Sequence, residues 1–372
     1  MPFNHGPISF TICKLPKSMP EDSLERFTAK KGYSLDTVLD EPQVGWVSSR
    51  HLLDTRIDDE TAYTGGYLHL NLRSAVRKIP SSLFNAECRL EELALLAAEK
   101  VQSISRKQRK EIRESIKERL LKNMPPVLKG IPFVIDSTKD LLYLGATSSA
   151  QIGLFTNYFL ETVDFGPTQL VPEIVAEDLF KINPDAIPTL HIANYRSEGD
   201  EIEKSLGRDF LTWMWYFQEI EGGTIDVEDL GSFSFMLDGP LSFTADGNGG
   251  RESVVRKGLP TISAEAQSAL LTGKKLQRAK CSLVRDDEVW EFTLDATNFG
   301  FRSMRLPDIE ELEPHSQFQE RVKYLNIFQR AFFQLFKCYL DTVSDSSRYN
   351  SLVPKIQDWV KNLRVAEDVS AA

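Results

Sequence analysis

The sequence predicts an α+β fold, with mixed sheets and long charged helices, and three observations carry that expectation. Along the first half the elements read strand, helix, strand, long helices, strand hairpin, helix, which is an α+β succession. Residues 81–123 read as helix, stopped by Met124-Pro125-Pro126. Within them, residues 106–122, RKQRKEIRESIKERLLK, place eight Lys/Arg against three Glu in a chain whose formal charge is −10. Such a reversal is a local field that selects partners.

Residues 7–15 alternate loosely and read as a strand. EDSLERFTAKKGY then reads as a helix, with Glu21, Asp22 and Glu25 in its first turn. Gly45-Trp46-Val47 is an apolar landmark. TGGYLHLNLR sets Tyr67, His69 and Asn71 opposite Leu68, Leu70 and Leu72, the alternation of a half-buried strand. Pro80 and Ser81 start the long arm, which forms one helix or two in series. IPFVIDSTKDLLYLGAT reads as two strands around a turn at Ser137 to Asp140, and SAQIGLFTNYFLETV as helix. Pro167, Pro172, Pro184 and Pro188 mark a boundary near residue 165.

That boundary gives an N-terminal α+β domain of residues 1–165 carrying the arm, a second α+β domain of residues 166–312, and a C-terminal helical segment of residues 313–372. In the second domain, LGRDFLTWMWYFQEIEGG is a helix stopped by Gly222-Gly223. SAEAQSALLTGKKLQRAKCSLVRDDEVWEFTLD reads helix, Gly273 cap, strand, turn at Asp286-Asp287, strand. A last helix spans about residues 318–341; its stripe of Leu325, Phe328, Phe332, Phe336 and Tyr339 is core or a subunit interface. The aromatics Trp213, Trp215, Tyr216 and Phe217 could stack on unpaired bases, but their spacing reads as core.

Composition bounds the function. The chain is ordinary globular material, with 41% hydrophobic and 26% charged residues in 372. No uncharged apolar run approaches membrane-span length, and the first residues lack a signal-peptide pattern; a cytosolic protein is expected. Cys13, Cys88, Cys281 and Cys338 lie far apart with no CxxC pair, which fits free thiols. A pI near 5.2 excludes a surface that is basic all over but leaves room for a concave or enclosed basic lining.

Arg106, Lys110, Arg113 and Lys117 recur at i, i+4, i+7 and i+11, one stripe of a helix beside an apolar stripe of Ile104, Ile112, Ile116 and Leu120. Such a stripe can track a phosphate backbone. Equally, Glu111, Glu114 and Glu118 can satisfy it as a solvated face. A second cluster, Gly273-Lys274-Lys275-Leu276-Gln277-Arg278-Ala279-Lys280, has four cations and no acid. Strand alternation puts Lys274, Leu276, Arg278 and Lys280 on one face, for phosphate or as the lysine guard of an edge strand.

Enzyme patterns fail. Gly273-Lys274 lacks Walker A spacing; Gly247, Gly249 and Gly250 do not make GxGxxG; Asp246-Gly247-Asn248 opens like a calcium loop whose twelfth position is Lys257. Neither a GxSxG elbow nor HExxH occurs. Asp308, Glu310 and Glu311 follow Pro307 without the Glu-x-Lys of a common nuclease pattern. Neither catalysis, a cofactor nor a metal is expected.

The succession of GWV, the strand ending in Arg73 and leading into KIPSSL, the charged helix ending in LL, VIDSTKDLLYLGATSSA and SAEAQSALLTGKKLQRAKCSLV resembles the RdgC family of recombination-associated proteins. LGRDFLTWMWYFQE resembles a helix of a longer branch, and order and content agree to about residue 340. The resemblance implies subunits closing into a dimeric ring around a positively charged hole wide enough for duplex DNA. It also implies nonspecific DNA binding that restrains RecA-type recombinases, without catalysis, in a cytoplasmic, nucleoid-associated homodimer. The matching basic positions are Arg73, Arg77 and Lys78; Arg106, Lys107, Arg109, Lys110, Arg113, Lys117 and Arg119; and Lys274, Lys275, Arg278 and Lys280. Two departures stand out: LLKNMPP replaces an LLPxAF-type helix end, and residues 222–258 and the tail after 343 exceed the common form. A nuclease with an unrecognised carboxylate site, or a module whose basic helix meets an acidic protein, are the competing expectations.

Overall fold

A computed structural model describes residues 2–192, 204–245, 252–309 and 313–363. The chain folds as α+β, with large antiparallel sheet structure. It divides into two compact units that interleave along the sequence: residues 1–18, 64–67 and 133–372 in the first, and 19–63 and 68–132 in the second. This differs from the division at residue 165 read from the prolines, because the N-terminal strand Ile8–Lys14 pairs with Gly300–Arg305 on one side and with Leu141–Leu144 on the other. Pairing over almost 300 residues of chain leaves no mark on local composition.

In the first unit, Gly231–Thr244, Lys275–Arg285, Glu288–Asp295, Gly300–Arg305, Ile8–Lys14 and Leu141–Leu144 follow one another as antiparallel neighbours. The helix Leu206–Glu221 packs on the first two of these strands. Its first eleven residues, Leu206 to Tyr216, are all buried, so Trp213, Trp215 and Tyr216 are core, as their spacing predicts, with Phe217 half-buried against them. The helix Pro314–Val343 buries Leu325, Phe328, Phe332, Phe336 and Tyr339; Phe328 meets Phe301 edge-on at 5.0 Å. A further helix, Ser346–Lys361, follows within the C-terminal segment read as helical, although only one helix was delimited there from the sequence. Glu219 fastens it, accepting from Trp215 Nε1 at 2.6 Å and Trp359 Nε1 at 2.8 Å.

In the second unit the strand Gln43–Ser48 pairs with Tyr67–Arg77, Gly45 opposite Arg73. The landmark Gly45-Trp46-Val47 is a close approach of backbone. A Cβ on Gly45 would come within 2.5 Å of Gly32 Cα, and Gly32 N–H donates to Trp46 O at 2.8 Å. Phe27, from the helix Ser23–Ala29, meets Trp46 edge-on at 5.0 Å. Tyr67–Arg77 is not half-buried as alternation suggested: His69, Asn71 and Arg73 are buried along with Leu68, Leu70 and Leu72. Both faces are covered, so the polar positions serve as interior residues.

Burial holds the His69 imidazole neutral, its pKa pushed from 6.5 down to about 3. The unfolded chain takes up a proton first, so this contribution to stability is complete above about pH 6.5 and is lost as pH falls toward 3. We expect a slope of roughly 1.4 kcal/mol per pH unit in that window. Denaturant midpoints from pH 7 to pH 4 should show His69→Leu with a flatter profile than the parent; identical profiles would refute the assignment.

Candidate nucleic-acid interface

The arm is two helices, Ser81–Glu99 and Arg106–Asn123. Lys100 adopts a left-handed conformation at the end of the first (φ 52°). Ser105 caps the second, in a capping box with Gln108. The helices lie against each other: Arg109 pairs with Glu92 at 3.3 Å and Arg119 with Glu87 at 2.8 Å. Of the apolar stripe, Ile116 is buried and Ile104, Ile112 and Leu120 half-buried, and Leu121, outside the stripe, is buried beside them.

Arg106, Lys107, Arg109, Lys110, Arg113, Lys117 and Arg119 are all exposed. The stripe is partly tethered. Lys107 and Lys110 reach Glu111 and Glu114 at 3.9 and 3.6 Å, pairs worth little in solvent. Lys117 reaches Asp40 at 2.5 Å; its hydrogen bond holds that carboxyl below the usual range and raises the lysine in turn. The Arg113 guanidinium lies 4.8 Å from the Phe84 ring centre, and Arg106 has no partner among the described residues. Over residues 81–123 ten Lys/Arg face seven Glu, so the first arm helix dilutes the field of the second without cancelling it.

Arg77 and Arg73 do other work. Arg77 donates to Val38 O at 2.8 Å, Lys122 O at 3.2 Å, Leu35 O at 3.3 Å and Met124 O. It gathers carbonyls at the C-terminal end of the basic helix, where a cation is favoured, and so orients the stripe. Arg73 is 3% exposed, which takes it out of reach of a duplex backbone. Lys78 is exposed.

The second cluster is arranged differently from the sequence reading. Lys275–Arg285 lies between Gly231–Thr244 and Glu288–Asp295, so it is a central strand and needs no guard of lysines. A register shift between Leu276 and Arg278 changes the phase, burying Leu276 while Arg278 and Lys280 keep partial exposure. Lys275 is buried, 5% exposed, and ion-paired with Asp209, which removes it from any surface lining. Lys274 donates to Ser253 Oγ at 2.6 Å. Arg278 pairs with Asp295 at 2.7 Å and Lys280 with Glu291 at 3.3 Å.

Two cations missed in the sequence share these acids: Arg302 lies 3.5 Å from Asp295 and Arg305 3.6 Å from Glu291. They are three residues apart, which strict alternation puts on opposite faces. The register shift here, with Ser303 at φ 50°, brings them to one. Among the described residues, no three of His, Cys, Asp and Glu gather as a metal site. The Asp246 to Gly250 segment, Glu310 and Glu311 lie outside the described residues.

These features define an α+β protein with a cation-bearing helical hairpin. Residues 10–177 match the family model described as "Putative exonuclease, RdgC", so this part of the chain is similar to the RdgC family, in support of the resemblance read from the sequence. The match contains the whole hairpin and ends before the strand Lys275–Arg285. Among curated proteins nothing matches the chain. No helix among the described residues is long and apolar enough to cross a membrane.

Proposed function

We propose that this chain is a sequence-nonspecific double-stranded DNA-binding protein, a ring-shaped homodimeric clamp that restrains RecA-type homologous recombination in the nucleoid. The observation that carries the reading is the exposed stripe of Arg106, Lys110, Arg113 and Lys117 on a hairpin inside the family-matched region. A stripe of cations on one helix face, without an Asn/Gln/Arg recognition pattern, reads backbone charge and not base edges. Lys107, Arg109, Arg119 and Lys78 flank it; Arg278 and Lys280 form a second, more compensated surface.

Anisotropy titration of duplexes of unrelated sequence should give similar affinities that fall log-linearly with salt, by about 0.9 per phosphate contact. Binding that resists salt and depends strongly on sequence would defeat the proposal. The family description favours a second reading, an exonuclease. Shortening of an end-labelled duplex with magnesium, lost on replacing single carboxylates, would select it over the clamp. Sedimentation with and without DNA, and a strand-exchange assay with a RecA-type recombinase, test the dimer and the antagonism.

A further inference from the structure

The Arg73 guanidinium poses a separate problem of charge. It is 3% exposed, and an arginine stays charged under any ordinary condition. Its Nη1 donates to Leu52 O at 3.2 Å and its Nη2 to Tyr33 O at 2.5 Å. These carbonyls are neutral, and its buried Nε has no hydrogen-bond partner. No carboxylate pairs with it among the described residues. Burial without a counter-charge is costly and ordinarily selects against arginine.

The fold nevertheless makes room for this side chain. The strand Tyr67–Arg77 sets Arg73 opposite Gly45, and Gly32 lies over the guanidinium so closely that a Cβ there would come 2.5 Å from Nη2. Arg73 lines a pocket of about 500 Å3, together with Lys31, Thr55, Ser34 and Leu53. Lys31 is exposed, and neither its ammonium nor the Thr55 hydroxyl has a partner among the described residues. Two cations and a free hydroxyl thus border one small cavity.

We propose that this pocket is a binding site for a phosphate group, with Arg73 at its base as the buried counter-charge, Lys31 as the outer clamp and the Thr55 hydroxyl as an added donor. A guanidinium with unused N–H groups matches an oxyanion in geometry and charge. The pocket takes one phosphate group, free or at the end of a larger molecule, and a duplex backbone does not enter it. The site stands independently of the clamp reading, since its ligand need not be DNA.

The full chain is titrated with inorganic phosphate against chloride at equal ionic strength, following the thermal midpoint and the 31P linewidth. Phosphate should raise the midpoint saturably and broaden its own resonance. Lys31→Ala, a change on an exposed side chain, should weaken the apparent affinity by roughly tenfold; Arg73→Lys should abolish the response. A phosphate response indistinguishable from chloride, or one unchanged in Lys31→Ala, overturns the proposal. In a second arm, 5′-phosphorylated and unphosphorylated single-stranded oligonucleotides compete for the site. Competition only by the phosphorylated form assigns the pocket to a nucleic-acid end. Inorganic phosphate bound without such competition assigns it to the free ion.

Discussion

Replacing Asp209 by alanine is expected to lower the unfolding free energy by about 3–5 kcal/mol. Asp209 sits in the first turn of the helix Leu206–Glu221, 2% exposed, and one carboxylate oxygen pairs with the Lys275 ammonium. The other accepts from Leu190 N–H at 2.9 Å. Removing the carboxylate leaves the lysine buried at 5% exposure without its counter-charge, and it strips a buried N–H of its acceptor. The pair joins the helix to the central strand next to Leu276, whose N–H donates to Thr212 Oγ1 at 3.1 Å, so helix and strand loosen together. Because the loss arises mainly from the stranded charge, Asp209→Leu combined with Lys275→Met should recover most of it. Denaturant unfolding of the two single variants and the double variant makes the test. A loss under 1 kcal/mol in Asp209→Ala, or a double variant as unstable as the worse single one, would show that the pair does not carry the contact.

Lys275 also marks how far sequence reads into this molecule. Elements set by local chemistry were legible: the stop at Met124-Pro125-Pro126, the end of the Leu206–Glu221 helix at Gly222 with φ 84°, and the Gly273 turn before the basic strand. The apolar stripe of the basic helix was legible as well, because a helix keeps its phase. What failed depended on partners far along the chain. The register shift beside Leu276 altered the phase of a strand that alternation had assigned, and the one at Ser303 hid Arg302 and Arg305. The acids that tether the cations, Asp40, Glu87 and Glu92 for the hairpin and Asp209, Glu291 and Asp295 for the sheet, come from other elements. A run of lysines and arginines in sequence is therefore a list of charges, and only the fold decides which of them face solvent. Arg73 and Lys275 look like members of a basic surface in one dimension and are interior groups in three.

Reversing Arg106, Lys110, Arg113 and Lys117 to glutamate is expected to lower duplex affinity by roughly two orders of magnitude and to flatten its salt dependence by about three to four units of log–log slope. The slope is the sharper observable, since each lost phosphate contact removes about 0.9 from it while a merely loosened fold does not change its sign or spacing. The substitutions should be structurally mild: Arg106 has no partner among the described residues, Lys110 pairs with an exposed acid, and the packing side chains Ile116 and Leu121 are untouched. New like-charge contacts, among the four glutamates themselves at i,i+3 and i,i+4, with Glu114 and with Asp40, cost a few tenths of a kcal/mol each, and circular dichroism of the variant checks that helix content is retained. Replacing Arg278, Lys280, Arg302 and Arg305 by glutamine gives the contrast. Those cations already face Asp295 and Glu291, and their loss should lower affinity by less than about tenfold. If the sheet variant loses binding and the hairpin variant keeps both its affinity and its salt slope, the hairpin is not the interface; the phosphate contacts then belong to the sheet face, and the hairpin's exposed cations are left for a partner other than DNA.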